Sequence, residues 1–219
     1  MITAASNSRI KRLVQLNQKS KLRRTEDVFL AEGVKMFLEA PREQLQEVYV
    51  SESFLEKCSC REHLEEVGYE VVSDSVFSKI SDTCTPQGVL CVLKQFHYNI
   101  EEMLRDKAPL FLLLENIQDP GNLGTMLRTG EGAGVSGIIM SRDTVDLYNP
   151  KVIRSTMGSI YRVPFYYADD FAAAVHQVQQ AGVSVYAAHL RGKNSYACQD
   201  YTKGTAFLIG NEGLSLIHI

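Results

Sequence analysis

Between residues 110 and 209, short apolar runs and helix-like stretches follow one another in turn. Strands are predicted over 110–114, 137–140, 163–166, 183–188 and 206–209, and helices over 121–132, 150–158 and 170–180. Such alternation feeds a mostly parallel sheet covered by helices on both faces. Ligands of these sheets bind beyond the carboxyl ends of the strands. Chemistry is therefore expected in the loops after Leu114, Met140, Ala188 and Ile209.

The preceding part of the chain reads as a smaller α/β lobe. Ile10, Leu13, Val14 and Leu16 recur at helical spacing behind Ser6-Asn7-Ser8, a natural cap, so a helix is predicted over 7–19. Strands follow over 28–31, 47–50, 69–72 and 88–93, with helices over 33–39 and 53–67. Residues 98–108 carry charge without apolar density and read as a linker, which divides the chain into domains 1–97 and 109–219. At 219 residues two small lobes fit the usual domain size of roughly 150 residues or less. With 45% hydrophobic and 22% charged residues the chain is neither disordered, collagenous nor coiled-coil. Its longest apolar run near a strand falls far short of the ~20 residues a membrane span needs, and its first residues lack the apolar core of a signal peptide. A cytoplasmic protein away from membranes is expected. The cysteines at 58, 60, 84, 91 and 198 show no Cys-x-x-Cys spacing, so reduced thiols and no bound metal are expected.

Charge is unevenly distributed. Residues 1–24 hold seven basic side chains and no acidic one, whereas 25–106 hold seventeen acidic against seven basic. A basic arm of this kind suits a phosphate-rich partner. Arg9, Lys11, Arg12, Lys21, Arg23 and Arg24 are the candidate contacts to such a partner, with a merely solvated helix face as the plain alternative.

Gly132-Ala-Gly134-Val-Ser-Gly137 matches G-x-G-x-x-G but in the wrong context. The dinucleotide fingerprint follows a strand and opens a helix; here the glycines close a helix and open a strand. Gly132 and Gly134 are read instead as helix C-cap residues. The densest polar segment runs from Glu115 to Arg128, directly after the strand at 110–114. Asp119-Pro120 opens a helix as cap and first helical residue. Asn122 and Arg128 lie in successive turns. Spacing alone leaves open whether they share a pocket edge or serve as cap and surface pair. Residues 149–159 add another polar, glycine-ended segment, and Phe207-Leu-Ile-Gly210-Asn-Glu-Gly213 runs a strand into a glycine-flanked polar turn, where free backbone amides meet a ligand or simply close a tight turn.

Together these segments resemble the SpoU branch of the SPOUT superfamily, the RNA ribose 2′-O-methyltransferases. Motif one of that family resembles Asn116-x-x-Asp119-Pro120-x-Asn122-x-Gly124-x-x-x-Arg128. Motif two resembles Ser155-x-x-Gly158 followed by Val163-Pro164, and motif three resembles Ile209-Gly210-Asn211-Glu212-Gly213. The N-terminal lobe resembles the substrate-binding domain that often precedes this catalytic domain, so the resemblance covers nearly the whole chain.

The resemblance implies an α/β fold: a small RNA-binding domain followed by a SPOUT-type parallel-sheet domain with a trefoil knot, working as a homodimer. It implies methyl transfer from S-adenosylmethionine to a ribose 2′-hydroxyl of RNA, with the N-terminal lobe favouring ribosomal RNA and transfer RNA as the alternative substrate. Arg128, Asn122 and Glu212 match the catalytic set, and Gly210, Asn211, Gly213 and Leu190 match cofactor contacts. A non-catalytic RNA-binding protein is the rival reading. After Gly213 the chain reads Leu214-Ser-Leu-Ile-His-Ile219, where family members continue through a further loop and a final helix. The methyltransferase domain is therefore expected to be truncated, its knot incomplete, and this chain inactive as it stands.

Overall fold

The computed structural model describes residues 1–188, 192 and 195–210. The first part of the chain runs α1 (Ser8–Gln18), α2 (Ser20–Glu26), β1 (Val28–Glu32), α3 (Val34–Leu38), β2 (Leu45–Ser51), α4 (Glu52–Lys57), α5 (Arg61–Val67), β3 (Glu70–Val72), α6 (Asp74–Ile80) and β4 (Val89–Lys94). The sheet order is β1-β4-β2-β3; β4 is antiparallel to both β1 and β2, and β3 is parallel to β2. The 3.6-residue period of α1 buries Ile10, Leu13 and Leu16 against Val76, Phe77 and Ile80 of α6 and the apolar face of the sheet. Asn7 caps α1 by accepting the Arg9 N–H at 2.9 Å.

The predicted helix over 53–67 is two helices. Cys58 is extended between them, and α4 buries no residue, so no apolar stripe carries the helix through Cys58-Ser59-Cys60. The short helices α2 and α6 add to the predicted elements. At the end of the loop that leads into β4, Gly88 has φ +86°, and a Cβ there would stand 2.4 Å from Phe54 Cβ and 2.8 Å from Ser51 Oγ. Gly88→Ala is expected to cost about 2 kcal/mol through strain and overlap together. Thermal unfolding tests this; a midpoint within about 1 °C of the parent would contradict the packing.

The rest of the chain runs α7 (Ile100–Met103), β5 (Leu110–Glu115), α8 (Pro120–Ala133), β6 (Gly137–Ser141), α9 (Pro150–Thr156), β7 (Phe165–Ala168), α10 (Phe171–Gln180), β8 (Ser184–Ala187) and β9 (Thr205–Gly210). The strands form one wholly parallel sheet in the order β7-β6-β5-β9-β8, as the alternation required. The stretch expected as a bare linker contains α7, capped by Asn99, which buries Ile100 and Met103. The strand predicted over 163–166 begins two residues later, after the turn at Ser159–Tyr161. Gly134 is the left-handed C-cap of α8, whereas Gly132 lies inside the helix.

The chain divides into two compact units. One holds Met1–Phe96 with Asp146–Tyr161, the other His97–Val145 with the chain from Arg162 on. The excursion 146–161 thus packs with the first unit. Arg23 donates to Asp146 at 2.6 Å, Tyr148 Oη accepts from the Phe96 N–H at 2.6 Å, and Tyr161 Oη donates to the Met36 carbonyl at 3.0 Å.

Candidate active site

In the parallel sheet, chain order runs outward from β5 through β6 to β7, then reverses, with β9 on the other side of β5. Crevices for ligands form where the order of an open parallel sheet reverses, at the carboxyl ends of its strands. Here that point falls between Glu115 and Gly210, which are paired in register.

The loop leaving β5 is fixed by the loop leaving β6. Asn116 adopts a left-handed conformation at φ 55°, and its N–H donates to Ser141 Oγ at 2.8 Å. Ile117 N–H donates to Thr144 Oγ1 at 3.3 Å and its carbonyl accepts from Val145 N–H at 2.8 Å. Ser141 and Thr144 are both buried. Sequence reasoning missed these two hydroxyls, although they follow Met140, at a strand end where chemistry was expected. Asp119 then caps α8 by accepting the Asn122 N–H at 2.7 Å, with Pro120 in the first turn.

Helix α8 buries Leu123, Gly124, Leu127 and Gly130. Gly130 allows close packing, since a Cβ there would stand 3.1 Å from Val135 Cγ2. The opposite face presents Asn122, Thr125, Arg128 and Thr129, all exposed. Six residues separate Asn122 from Arg128, about 9 Å along the axis and about 120° around it. Among the described residues, neither the Asn122 side chain nor Arg128 makes a hydrogen bond or ion pair, so the surface pair left open by spacing is not found there.

Motif one and the start of motif three thus meet at adjacent strand ends, at Asn116 and Gly210. Ser155 and Gly158 of motif two belong to the first unit, where Met157 caps α9 at φ 52° ahead of Gly158 at φ 99°. Leu190, Asn211, Glu212 and Gly213 lie outside the described residues.

The basic arm is less uniform than its sequence. Arg9 pairs with Glu70 at 3.1 Å, and Arg12 bridges Glu26 and Glu47, each at 2.7 Å. Burial pulls the Arg12 pKa down, but the two carboxylates outweigh it and leave the pKa raised. Arg23 is a correction: only 3% of its side chain is exposed, and it donates to the Leu16 and Asn17 carbonyls at the end of α1 as well as to Asp146. Buried and so occupied, it does not reach an RNA phosphate. Lys11, Lys19, Lys21 and Arg24 are exposed and make no ion pair among the described residues.

A parallel sheet with this reversal, preceded by a smaller α/β unit, is the architecture of a class of RNA methyltransferases. The profile of the SpoU rRNA Methylase family matches residues 109–217, and that of the MRM3-like substrate binding domain matches 7–91. The chain belongs to the SpoU family. It is 31% identical over 215 residues to the 23S rRNA (guanosine(2553)-2′-O)-methyltransferase RlmP of Bacillus subtilis, covering 97% of this chain and 82% of that protein. To human mitochondrial rRNA methyltransferase 3 it is 41% identical over 88 residues, 38% of this chain and 21% of that one. The AdoMet-bound rRNA methyltransferase from Sinorhizobium meliloti superposes with a TM-score of 0.82 at 29% identity, over 98% of this chain and 82% of that one.

Proposed function

We propose that this chain transfers the methyl group of S-adenosylmethionine to a ribose 2′-hydroxyl of ribosomal RNA; the expectation of an incomplete knot and an inactive chain rests on 211–219, which lie outside the described residues. The observation that carries the reading is the reversal of the sheet at Glu115 and Gly210, with Asn122 and Arg128 on the helix that opens beside it. RlmP, related along nearly the whole chain, is named for this reaction.

The described residues fit the cofactor: Gly210 ends an inner strand without a side chain to fill the crevice, and the β5 loop is fixed in place by Ser141 and Thr144. Leu190, Asn211 and Gly213 are assigned to the same pocket from the motif. When bound, S-adenosylmethionine supplies a sulfonium methyl group that an oxygen attacks in line, so positioning the ribose carries much of the rate. A guanidinium keeps its proton, with a pKa above ~12. Arg128 is therefore assigned to orienting the ribose and stabilising its developing oxyanion rather than to removing the proton. Asn122 is assigned to orienting the ribose, and Glu212 to the polar wall around it.

Substrate binding is assigned to 1–97, the linker to 98–108 and methyl transfer to 109–219, in line with the matched profiles at 7–91 and 109–217. A homodimer and a cytoplasmic location belong to the same reading and rest on the resemblance. No described helix is long and apolar enough to cross a membrane. Among the described residues no group of three His, Cys, Asp or Glu is placed to hold a metal ion.

Mapping 2′-O-methyl sites in the host's ribosomal RNA with and without the gene tests the reaction; an unchanged map would refute it. For the arm, replacing Lys11, Lys19, Lys21 and Arg24 together by alanine is expected to reduce the log–log salt slope of RNA binding by about 3, at ~0.7 per lost single-strand phosphate contact. An unchanged slope in filter binding between low and moderate salt would remove the arm from the interface.

A further inference from the structure

Loop 81–87 of the first unit is fastened at one end to the last residue of β1 and at the other to the first residue of α3. At one end the Glu32 carboxylate gathers the loop: Ser81 Oγ donates to both its oxygens at 2.8 and 2.9 Å, Thr83 Oγ1 at 2.9 Å and Asp82 N–H at 3.2 Å. At the other end Gln87 Oε1 accepts the Val34 N–H at 3.0 Å. Gly33, at φ +112°, leaves room for that bond, since a Cβ there would stand 2.9 Å from Gln87 Oε1. Arg154 of α9, next to Ser155 of motif two, donates to Asp82 Oδ2 at 3.1 Å.

Between the fasteners Cys84, Thr85 and Pro86 are exposed and contribute nothing to the core. A tip held rigid without burying anything is the usual form of a binding loop, because its ordering is completed before the partner arrives. Its chemistry selects the partner. The Val34 N–H fixes the Gln87 amide with its oxygen inward, so the Nε2 donors face out; among the described residues Nε2 makes no hydrogen bond. Thr85 adds a hydroxyl, and the Arg154 guanidinium, paired with Asp82, neutralises that carboxylate while staying 47% exposed beside the loop. The neighbouring carboxylates, Glu32 and Asp82, are already bonded internally. Outward donors beside a guanidinium match a partner rich in acceptors and negative charge.

We infer that loop 81–87 is an RNA-contact element, with Gln87 Nε2 and Thr85 meeting phosphate, 2′-hydroxyl or base-edge acceptors, and with Glu32 as the positioning residue that holds it. The inference rests on the proposed action on ribosomal RNA.

Two measurements on the full chain test it, both with transcribed ribosomal RNA as probe. First, Cys84 in the unsubstituted protein reports the tip directly. Peptide-resolved maleimide labelling is expected to slow at Cys84 by about fivefold or more when the RNA is bound, an occlusion of the kind an interface core produces. The other measurement uses Gln87→Glu, which keeps an oxygen for the Val34 N–H and replaces the outward donor by an anion. It is expected to weaken RNA binding about tenfold, the scale of one lost charge-linked contact, with the melting temperature within about 2 °C. Undiminished Cys84 labelling in the complex, or unchanged affinity in Gln87→Glu, overturns the inference. Failure of the unsubstituted chain to retain ribosomal RNA at any concentration overturns the proposed function itself and the loop with it.

Discussion

Arg128→Ala is expected to cut methyl transfer by about 10²- to 10³-fold, the usual effect of removing one preorganised donor from a developing oxyanion. The chain should stay folded. Arg128 is exposed on α8 and makes no internal bond among the described residues, and such surface changes usually fall within ~0.5 kcal/mol. Arg128→Lys separates charge from shape: it keeps a cation but loses the planar fork, so it should recover part of the rate. Single-turnover transfer of a labelled methyl group to ribosomal RNA, read beside thermal unfolding, checks both. Parental turnover in Arg128→Ala would move the chemistry elsewhere. A rate loss accompanied by a large fall in melting temperature would make Arg128 a structural residue.

The part of the site that was legible in the sequence is the part built locally. Asp119 caps α8 and Pro120 opens it because both act within one turn of their own position. The strands of the parallel sheet were legible for a related reason: strands covered on both faces read as nearly unbroken apolar runs, as at 110–114 and 137–140. Their order was not. Nothing in the spacing of 206–209 tells that β9 inserts beside β5 rather than at the sheet edge, yet that insertion creates the reversal and sets Gly210 opposite Glu115. The buried hydroxyls of Ser141 and Thr144 show the same limit, since their partners at Asn116 and Ile117 are 25 and 27 residues away.

Helix signals failed where tertiary packing was absent. The stretch 53–67 has helix-forming residues at both ends, but with no buried residue in α4 the chain is free to break at Cys58. Conversely, α6 gives no legible signal although Val76, Phe77 and Ile80 are buried, because seven residues carry too short a period to read. The basic arm shows that charge counted along a sequence does not tell which cations are paired within the fold. Of its members, Arg9 and Arg12 face carboxylates, Arg23 is buried, and Lys11, Lys19, Lys21 and Arg24 remain exposed.

Asp146→Ala is expected to destabilise the chain by about 3 kcal/mol, because it strands a buried cation. Breaking a buried pair from one side costs roughly 3–5 kcal/mol; the lower end applies because Asp146 is 30% exposed although Arg23 is only 3% exposed. The site has little slack, since Arg23 Nε is already buried without a hydrogen-bond partner among the described residues. At roughly 2–4 °C per kcal/mol for a chain of this size, the melting temperature should fall by about 6–12 °C. Arg23→Met removes the charge and keeps much of the volume, so combining it with Asp146→Ala should recover part of the loss. Recovery should stop short of the parent, because the Leu16 and Asn17 carbonyls at the end of α1 lose their donor in either variant lacking Arg23. Asp146 opens the excursion Asp146–Tyr161 that carries Ser155 and Gly158 of motif two within the first unit, so the same variant should increase proteolytic cleavage within that excursion. A melting temperature within about 1 °C of the parent for Asp146→Ala would show that the pair adds nothing to stability.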